Sequence, residues 1–145
     1  MNVERASLAA TAVLVVAVLT LLARHALLGS SPVPMAVQIA AGLLMLWARL
    51  TFGGRSFHAA ANPTSGGVVT TGPYRFVRHP IYAAILYFVW AGLISHASVL
   101  NASLAVLATA MVAVRIAPEE RLLLKRYPEC AAYAASTKRV VPFVL

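Results

Sequence analysis

The chain has 145 residues, of which 61% are hydrophobic and only 11% are charged, and its formal net charge is +8. Soluble globular domains are about half apolar and about a quarter charged, so this composition excludes an ordinary soluble domain. Four apolar stretches each approach the ~20 residues that a membrane-spanning helix needs. They lie at about 6–28, 33–52, 81–94 and 97–117, and the third stretch extends a little before residue 81. The sequence therefore predicts an all-α polytopic membrane protein with about four transmembrane helices and a C-terminal cytoplasmic amphipathic segment, forming a single membrane-embedded domain over 1–145.

Residues 1–52 are interpreted as a two-helix scaffold. The first apolar stretch follows Arg5 but is longer than the apolar region of a secretory signal, which predicts a helix that is retained. Pro32 and Pro34 separate it from the second stretch, because proline ends one helix and starts the next. Gln38 is the one polar side chain deep in the second stretch, and we expect it to bond to a neighbouring helix.

Residues 53–145 are predicted to contain a cofactor-binding loop, a helical hairpin and a cytoplasmic tail. The polar segment from Phe52 to Pro80 contains paired glycines, which favour turns and a loop that folds back over a binding site. It ends in GPYRFVRHPIY, where Pro80 suits the first turn of a helix because its missing N–H costs nothing there. Arg78 and His79 would then lie beside the free amides of that helix start, where an anionic group can be held.

The third and fourth stretches are separated only by SHAS and are predicted to form a tight antiparallel hairpin. Small residues on their inner faces favour close contact between the two helices; these are Ala83, Ala84, Ala105 and Ala108. Pro118 is expected to kink or end the fourth helix, with a new amphipathic helix beginning near Glu119. The hairpin would bring Arg115 and Glu119 to the same end as His79 and Tyr82.

The basic residues predict the orientation of the chain. With the N-terminus in the cytoplasm, eleven of the twelve Lys and Arg residues lie on the cytoplasmic side and only Arg24 lies outside. We therefore predict an integral protein of the bacterial inner membrane, with both termini cytoplasmic and its positive charge facing anionic lipid headgroups. No nucleic-acid partner is indicated. Cys130 is the one cysteine, so neither an intramolecular disulfide nor a zinc site is expected.

Two segments of this sequence resemble a known family. GPYRFVRHPIY, followed by PEERLLLKRYPECAAYAASTKRVVP, is similar to the isoprenylcysteine carboxyl methyltransferase and phospholipid methyltransferase group of integral membrane enzymes. The resemblance covers about Val68 to Phe143 and implies S-adenosyl-L-methionine as cofactor. It implies that Arg115 contacts the methyl-accepting substrate, and that Glu120 completes an acidic pair in the catalytic site. The residues assigned to cofactor binding are Val68, Val69, Tyr74, Arg78, His79, Pro80, Ile81, Tyr82 and Glu119.

The chemistry of these residue types agrees with that assignment. The cofactor carries an ammonium, a carboxylate, a sulfonium and an adenosine, which call for an acid, cationic or amide donors, and flat apolar surfaces. Because the sulfonium is already an activated leaving group, positioning matters more than a strong base. If the acceptor is a carboxylate, Arg115 can orient it; if it is an amine or a thiol, His79 or Glu120 is the candidate base.

Three hypotheses for function follow. The first is a methyltransferase that acts on a lipophilic acceptor: a prenylcysteine-like carboxylate, a phospholipid amine or a small hydrophobic molecule. The second is a non-catalytic membrane protein that binds lipid or a partner. The third is an NADPH enzyme similar to the membrane steroid reductases.

Overall fold

The computed structural model describes residues 3–53 and 68–141, and within these ranges every regular element is helical. The elements are α1 (Val3–Ala23), α2 (Pro32–Phe52), a 3-10 turn (Gly72–Arg75), α3 (Pro80–Ser95), α4 (Val99–Arg126) and α5 (Cys130–Ser136). One isolated parallel bridge joins Val77 to Lys138. The prediction of an all-α membrane protein is confirmed.

Three of the helices, α1, α2 and α4, are long and apolar enough to cross a bilayer. The apolar helix α3 has 16 residues and is about 24 Å long at 1.5 Å per residue, somewhat less than a hydrocarbon core of about 30 Å. Large apolar side chains point outward along the bundle; Val16 and Leu43 are each 62% exposed and Ile94 is 69% exposed. Such a surface is compatible with lipid and not with water, so the chain is an integral membrane protein.

The helices are neighbours in the order α2, α3, α4, α1, because α2 packs mainly on α3 and α1 mainly on α4. Successive helices run in opposite directions, so the starts of α1 and α3 and the ends of α2 and α4 meet at one end of the bundle, which we call the site end. The small residues predicted to lie on the inner faces of the α3–α4 hairpin are all buried; they are Ala83, Ala84, Ala105 and Ala108.

Polar contacts also tie the helices together at the opposite end. The Gln38 side-chain amide donates to the carbonyls of Leu27, at 2.7 Å, and Phe88, at 3.1 Å, and its oxygen accepts from the Gly29 N–H at 2.8 Å. Gln38 therefore bonds to α3, as predicted. A Cβ on Gly92 would lie 2.3 Å from the Leu27 carbonyl oxygen, so only glycine permits this close approach.

The prediction that the fourth helix ends at Pro118 and a new helix begins near Glu119 is wrong. Helix α4 continues through this residue to Arg126, and no separate helix begins near Glu119. Proline removes one backbone hydrogen bond, but membrane helices tolerate it where neighbouring groups hold the segment. Here Val112 and Ile116 are buried in the core just before it, and an Arg115–Glu119 ion pair spans it. A separate short helix, α5, begins only at Cys130.

The segment between α2 and α3 positions the residues that follow. Gly72 begins the 3-10 turn with φ 57°, a left-handed conformation that favours glycine. Pro80 is in the first turn of α3, and His79 is the N-cap residue, which confirms the predicted helix start. The loop predicted to fold over the site falls mainly on residues 54–67, which lie outside the described residues.

Candidate active site

A buried arginine connects three helices at the site end. Arg115 of α4 is only 6% exposed. Its Nε donates to the Tyr82 hydroxyl on α3 at 2.7 Å, and a terminal nitrogen lies 3.2 Å from Glu119 Oε1. The other terminal nitrogen donates to Thr11 Oγ1 on α1. A charge at this depth is costly unless it is paired, and these contacts supply the pairing.

Tyr82 joins the arginine to an acid. Its hydroxyl accepts from Arg115 and donates to Glu119 Oε1 at 2.6 Å, so the phenol proton is directed at the carboxylate. The second oxygen, Glu119 Oε2, lies 3.9 Å from His79 Nδ1, which is too far for a hydrogen bond. Within residues 3–53 and 68–141, no group donates a hydrogen bond to this oxygen, and the side chain is 20% exposed.

The next residue, Glu120, has both oxygens engaged. Its Oε1 accepts from Arg78 Nε at 2.9 Å and lies 3.3 Å from His79 Nε2. Its Oε2 accepts from Arg139 at 3.0 Å. The two acids differ because successive helical residues are about 100° apart: Glu119 faces α3, whereas Glu120 faces the C-terminal segment.

His79 lies between the two acids. An ionised carboxylate can only accept a hydrogen bond, so the contact with Glu120 places a proton on His79 Nε2. In the neutral imidazole, Nδ1 then carries a lone pair on the side of Glu119. The His79 and Tyr82 rings have their centroids 5.7 Å apart, so the two residues share one face, as the sequence predicts.

The C-terminal segment, residues 127–141, is held against the start of α3 largely by Arg78. The Arg78 guanidinium donates to the carbonyls of Ala134, at 2.7 Å, and Thr137. The backbone N–H groups of Arg78 and His79 donate to the carbonyls of Lys138 and Arg139 at 2.7 and 3.0 Å. Arg78 is therefore bonded to the protein on several sides.

Two tyrosines add further bonds to this segment. Tyr133 donates to the Tyr74 carbonyl at 2.6 Å, and Tyr87 donates to the Val140 carbonyl at 2.7 Å. Burial raises the pKa of Tyr133 to about 12, so its phenol stays protonated and remains a donor at neutral pH. Tyr74 is 5% exposed and packs against Phe52, with ring centroids 5.4 Å apart.

The structure brings most of the predicted site residues into one cluster. Its members are Arg78, His79, Tyr82, Arg115, Glu119 and Glu120. Pro80 is buried in the first turn of α3, where Ile81 is half-buried, and Val68 and Val69 are half-buried before the 3-10 turn. Sequence reasoning did not identify Thr11 or the role of Arg139. The signal for Thr11 was its position one helical turn after Ser7, which gives α1 two hydroxyl groups on one face.

The chain belongs to the phospholipid methyltransferase family. The family model matches residues 36–130, well over half of the chain, and this match includes α2, α3, α4 and the clustered acids, arginines, histidine and tyrosine. It confirms the resemblance to isoprenylcysteine and phospholipid methyltransferases. Helix α1 lies outside the matched residues.

Two curated relatives are named for metal resistance. The chain is 32% identical over 98 residues to the cobalt-zinc-cadmium resistance protein CzcN of Cupriavidus metallidurans, and 34% identical over 98 residues to the nickel-cobalt-cadmium resistance protein NccN of Alcaligenes xylosoxydans xylosoxydans. Each alignment covers 67% of this chain and 42% of the relative. No solved structure matches the chain significantly. In residues 3–53 and 68–141, no group of three or more His, Cys, Asp or Glu residues is arranged so that it could hold a metal ion.

Proposed function

We propose that this protein is an S-adenosylmethionine-dependent methyltransferase that acts on a lipophilic acceptor at the membrane edge. Family membership supports methyl transfer. The assignment of the cofactor site to Glu119 rests on one observation. Of two adjacent acids, Glu120 has both oxygens bonded, whereas Glu119 Oε2 has no hydrogen-bond donor among residues 3–53 and 68–141. A carboxylate oxygen fixed in this way suits a ligand ammonium.

The surrounding residues fit the remaining parts of this cofactor. Tyr82 provides an aromatic surface, and the first turn of α3 after Pro80 provides backbone N–H groups and the positive end of a helix dipole for a carboxylate. Glu119 is held by Tyr82 and Arg115, so its free oxygen is already oriented before a ligand binds. Such preorganisation lowers the entropic cost of binding.

When bound, the cofactor supplies a methyl group that is already activated for in-line displacement, so the protein's main task is orientation. For a carboxylate acceptor no proton has to be removed, and Arg115 can bond to it only by exchanging one of its contacts with Thr11, Tyr82 or Glu119. For an amine or thiol acceptor, we favour His79 Nδ1 as the base over Glu120, because both Glu120 oxygens already accept hydrogen bonds. Glu120 then orients His79 through Nε2.

An apolar cavity supports a lipophilic acceptor. It has a volume of about 320 Å³ and lies between α1, α2 and α3. Its lining includes Val18, Ala41, Ile85 and Phe88. Ile85, which lines this cavity, is one helical turn from Tyr82 on α3, and we propose that the hydrocarbon part of the acceptor occupies it. We propose that the site end faces the cytoplasm of a bacterial inner membrane, because most basic residues lie at that end.

The test is transfer of tritium from S-adenosyl-[methyl-³H]methionine into organic-extractable material. Purified protein is incubated with total lipids of Cupriavidus metallidurans, and Glu119→Gln serves as the matched control. We expect label in the extract with the wild type only. Label released as volatile methanol by mild base identifies a methyl ester, and base-stable label identifies an amine or thiol acceptor. Binding of NADPH in place of S-adenosylhomocysteine would contradict the proposal and favour a reductase.

A further inference from the structure

Helix α1 contributes one side chain to the cluster although it lies outside the residues that the family model matches. Thr11 Oγ1 accepts a hydrogen bond from the buried guanidinium of Arg115. The other two guanidinium contacts described above go to Tyr82 on α3 and to Glu119 on α4 itself. Arg115 is thus bonded to residues of α1, α3 and α4, and among these three partners only Glu119 is charged.

The hydroxyl of Thr11 has a fixed direction. Its Oγ1 donates to the Ser7 carbonyl at 2.8 Å, so its single proton is used within α1. A lone pair is left for the guanidinium. Thr11 is therefore an oriented acceptor, not a hydroxyl that rotates to suit its neighbours.

The contact between Thr11 and Arg115 sets the direction of two further hydrogen bonds, from Arg115 to Tyr82 and from Tyr82 to Glu119. With one edge of the guanidinium held on α1, Arg115 Nε points to the Tyr82 oxygen, at 2.7 Å. Because that oxygen accepts from Arg115, the Tyr82 proton goes to Glu119 Oε1, at 2.6 Å. Glu119 is then held through Oε1 and presents Oε2 outward.

We propose that Thr11 is a positioning residue that acts on Glu119 through Arg115 and Tyr82. The inference rests on the proposed function, since it assumes that Glu119 Oε2 receives the ammonium of the cofactor. Without the Thr11 hydroxyl, Arg115 can rotate toward Glu119 and compete with the ligand for the carboxylate. Cofactor affinity should then fall although Thr11 touches no ligand.

The experiment is calorimetric titration of detergent-purified protein with S-adenosylhomocysteine. Thr11→Val removes the hydroxyl with little change in shape, and Thr11→Ser keeps it. We expect Thr11→Val to raise Kd about tenfold, the effect of one hydrogen bond to a charged group, and Thr11→Ser to stay within about twofold of the wild type. The matched control is Thr20→Val, because Thr20 makes the same bond to a carbonyl in its own helix, that of Val16, at 2.7 Å, and lies away from the cluster.

A purely structural role for Thr11 predicts a different pattern. The thermal midpoint would fall in Thr11→Val while Kd stayed unchanged, and this result would overturn the inference. In an Arg115→Gln background the Thr11→Val change should add nothing to Kd, since the two residues act in series; an additive effect would also overturn it. Thr11→Ala replaces Thr11→Val if the valine variant does not fold.

The same titration separates the inference from the function on which it rests. If the folded wild type does not bind S-adenosylhomocysteine, the proposed function fails. If the wild type binds and Thr11→Val binds equally well, only the role of Thr11 fails.

Discussion

The two ends of the helix bundle both carry polar side chains, but they use them differently. At the opposite end, the Gln38 amide bonds to backbone groups of Leu27, Gly29 and Phe88. Asn101, also at that end, donates to the His96 carbonyl at 2.7 Å and accepts from Arg24 at 3.1 Å. At the site end, most of the bonds within the cluster join charged or phenolic side chains to one another.

This difference separates a structural polar group from one that can bind a ligand. Neutral amides at the opposite end satisfy backbone groups that would otherwise be buried without partners. At the site end, opposite charges hold one another in place, and Glu119 Oε2 accepts no hydrogen bond from the part of the chain that the structure describes. A polar residue near the bilayer edge is therefore a functional candidate only when its bonds leave such an atom available.

The largest effect on local structure should come from Arg78→Gln. This change removes bonds to Glu120 and to the carbonyls of Ala134 and Thr137. Breaking a buried ion pair by removing one partner lowers the free energy of unfolding by roughly 3–5 kcal/mol. Since the Arg78 side chain is 14% exposed, we expect a decrease near the lower end of this range. The C-terminal segment should detach, and limited proteolysis with proteinase K should cleave it at least about tenfold faster.

Arg139→Gln is the matched control for Arg78→Gln. The Arg139 side chain is 58% exposed and pairs with the same carboxylate, and an exposed ion pair contributes at most about 1 kcal/mol. The rate at which proteinase K cleaves the C-terminal segment should change little in Arg139→Gln. Equal acceleration in the two variants would show that Arg78 has no special role in holding the segment.

A smaller effect is expected from Gln38→Ala at the opposite end. It leaves two buried carbonyls and one N–H without their partner, at a cost of about 1–3 kcal/mol. The thermal midpoint in detergent should fall by several degrees, while the Kd for S-adenosylhomocysteine stays unchanged. A loss of affinity comparable with that of a site-end variant would contradict the distinction between the two ends.

The helices and the cluster were predictable from sequence because they depend on local patterns. Apolar length predicts the spans, and the first-turn Pro80 fixes where Arg78 and His79 lie relative to α3. The continuity of α4 through Pro118 was not predictable, since it depends on packing against α1 and on the Arg115–Glu119 pair. The contact between Thr11 and Arg115 was not predictable either. It requires α1 to lie beside α4, and the order of the helices along the sequence does not specify which helices are neighbours.

The smallest expected effect is on the rate at which the thiol of Cys130 is labelled; this residue is 5% exposed. Burial raises the pKa of its thiol, and the neighbouring charge of Glu129 adds to this. Because the thiolate is the reactive form, labelling with a maleimide at pH 7 should be slow in the folded protein and fast after unfolding in sodium dodecyl sulfate. Arg78→Gln should accelerate it, since Cys130 lies in the segment that Arg78 holds; rapid labelling of the folded wild type would contradict the packing described for α5.

The central claim is that Glu119 binds the charged end of S-adenosylmethionine. The most direct measurement is calorimetric titration of detergent-purified protein with S-adenosylhomocysteine, comparing the wild type with Glu119→Gln. Glutamine keeps an oxygen for the Tyr82 bond but loses the charge, so we predict micromolar binding by the wild type and a loss of roughly a hundredfold in the variant. No binding by the folded wild type, or equal binding by the two proteins, would contradict the claim.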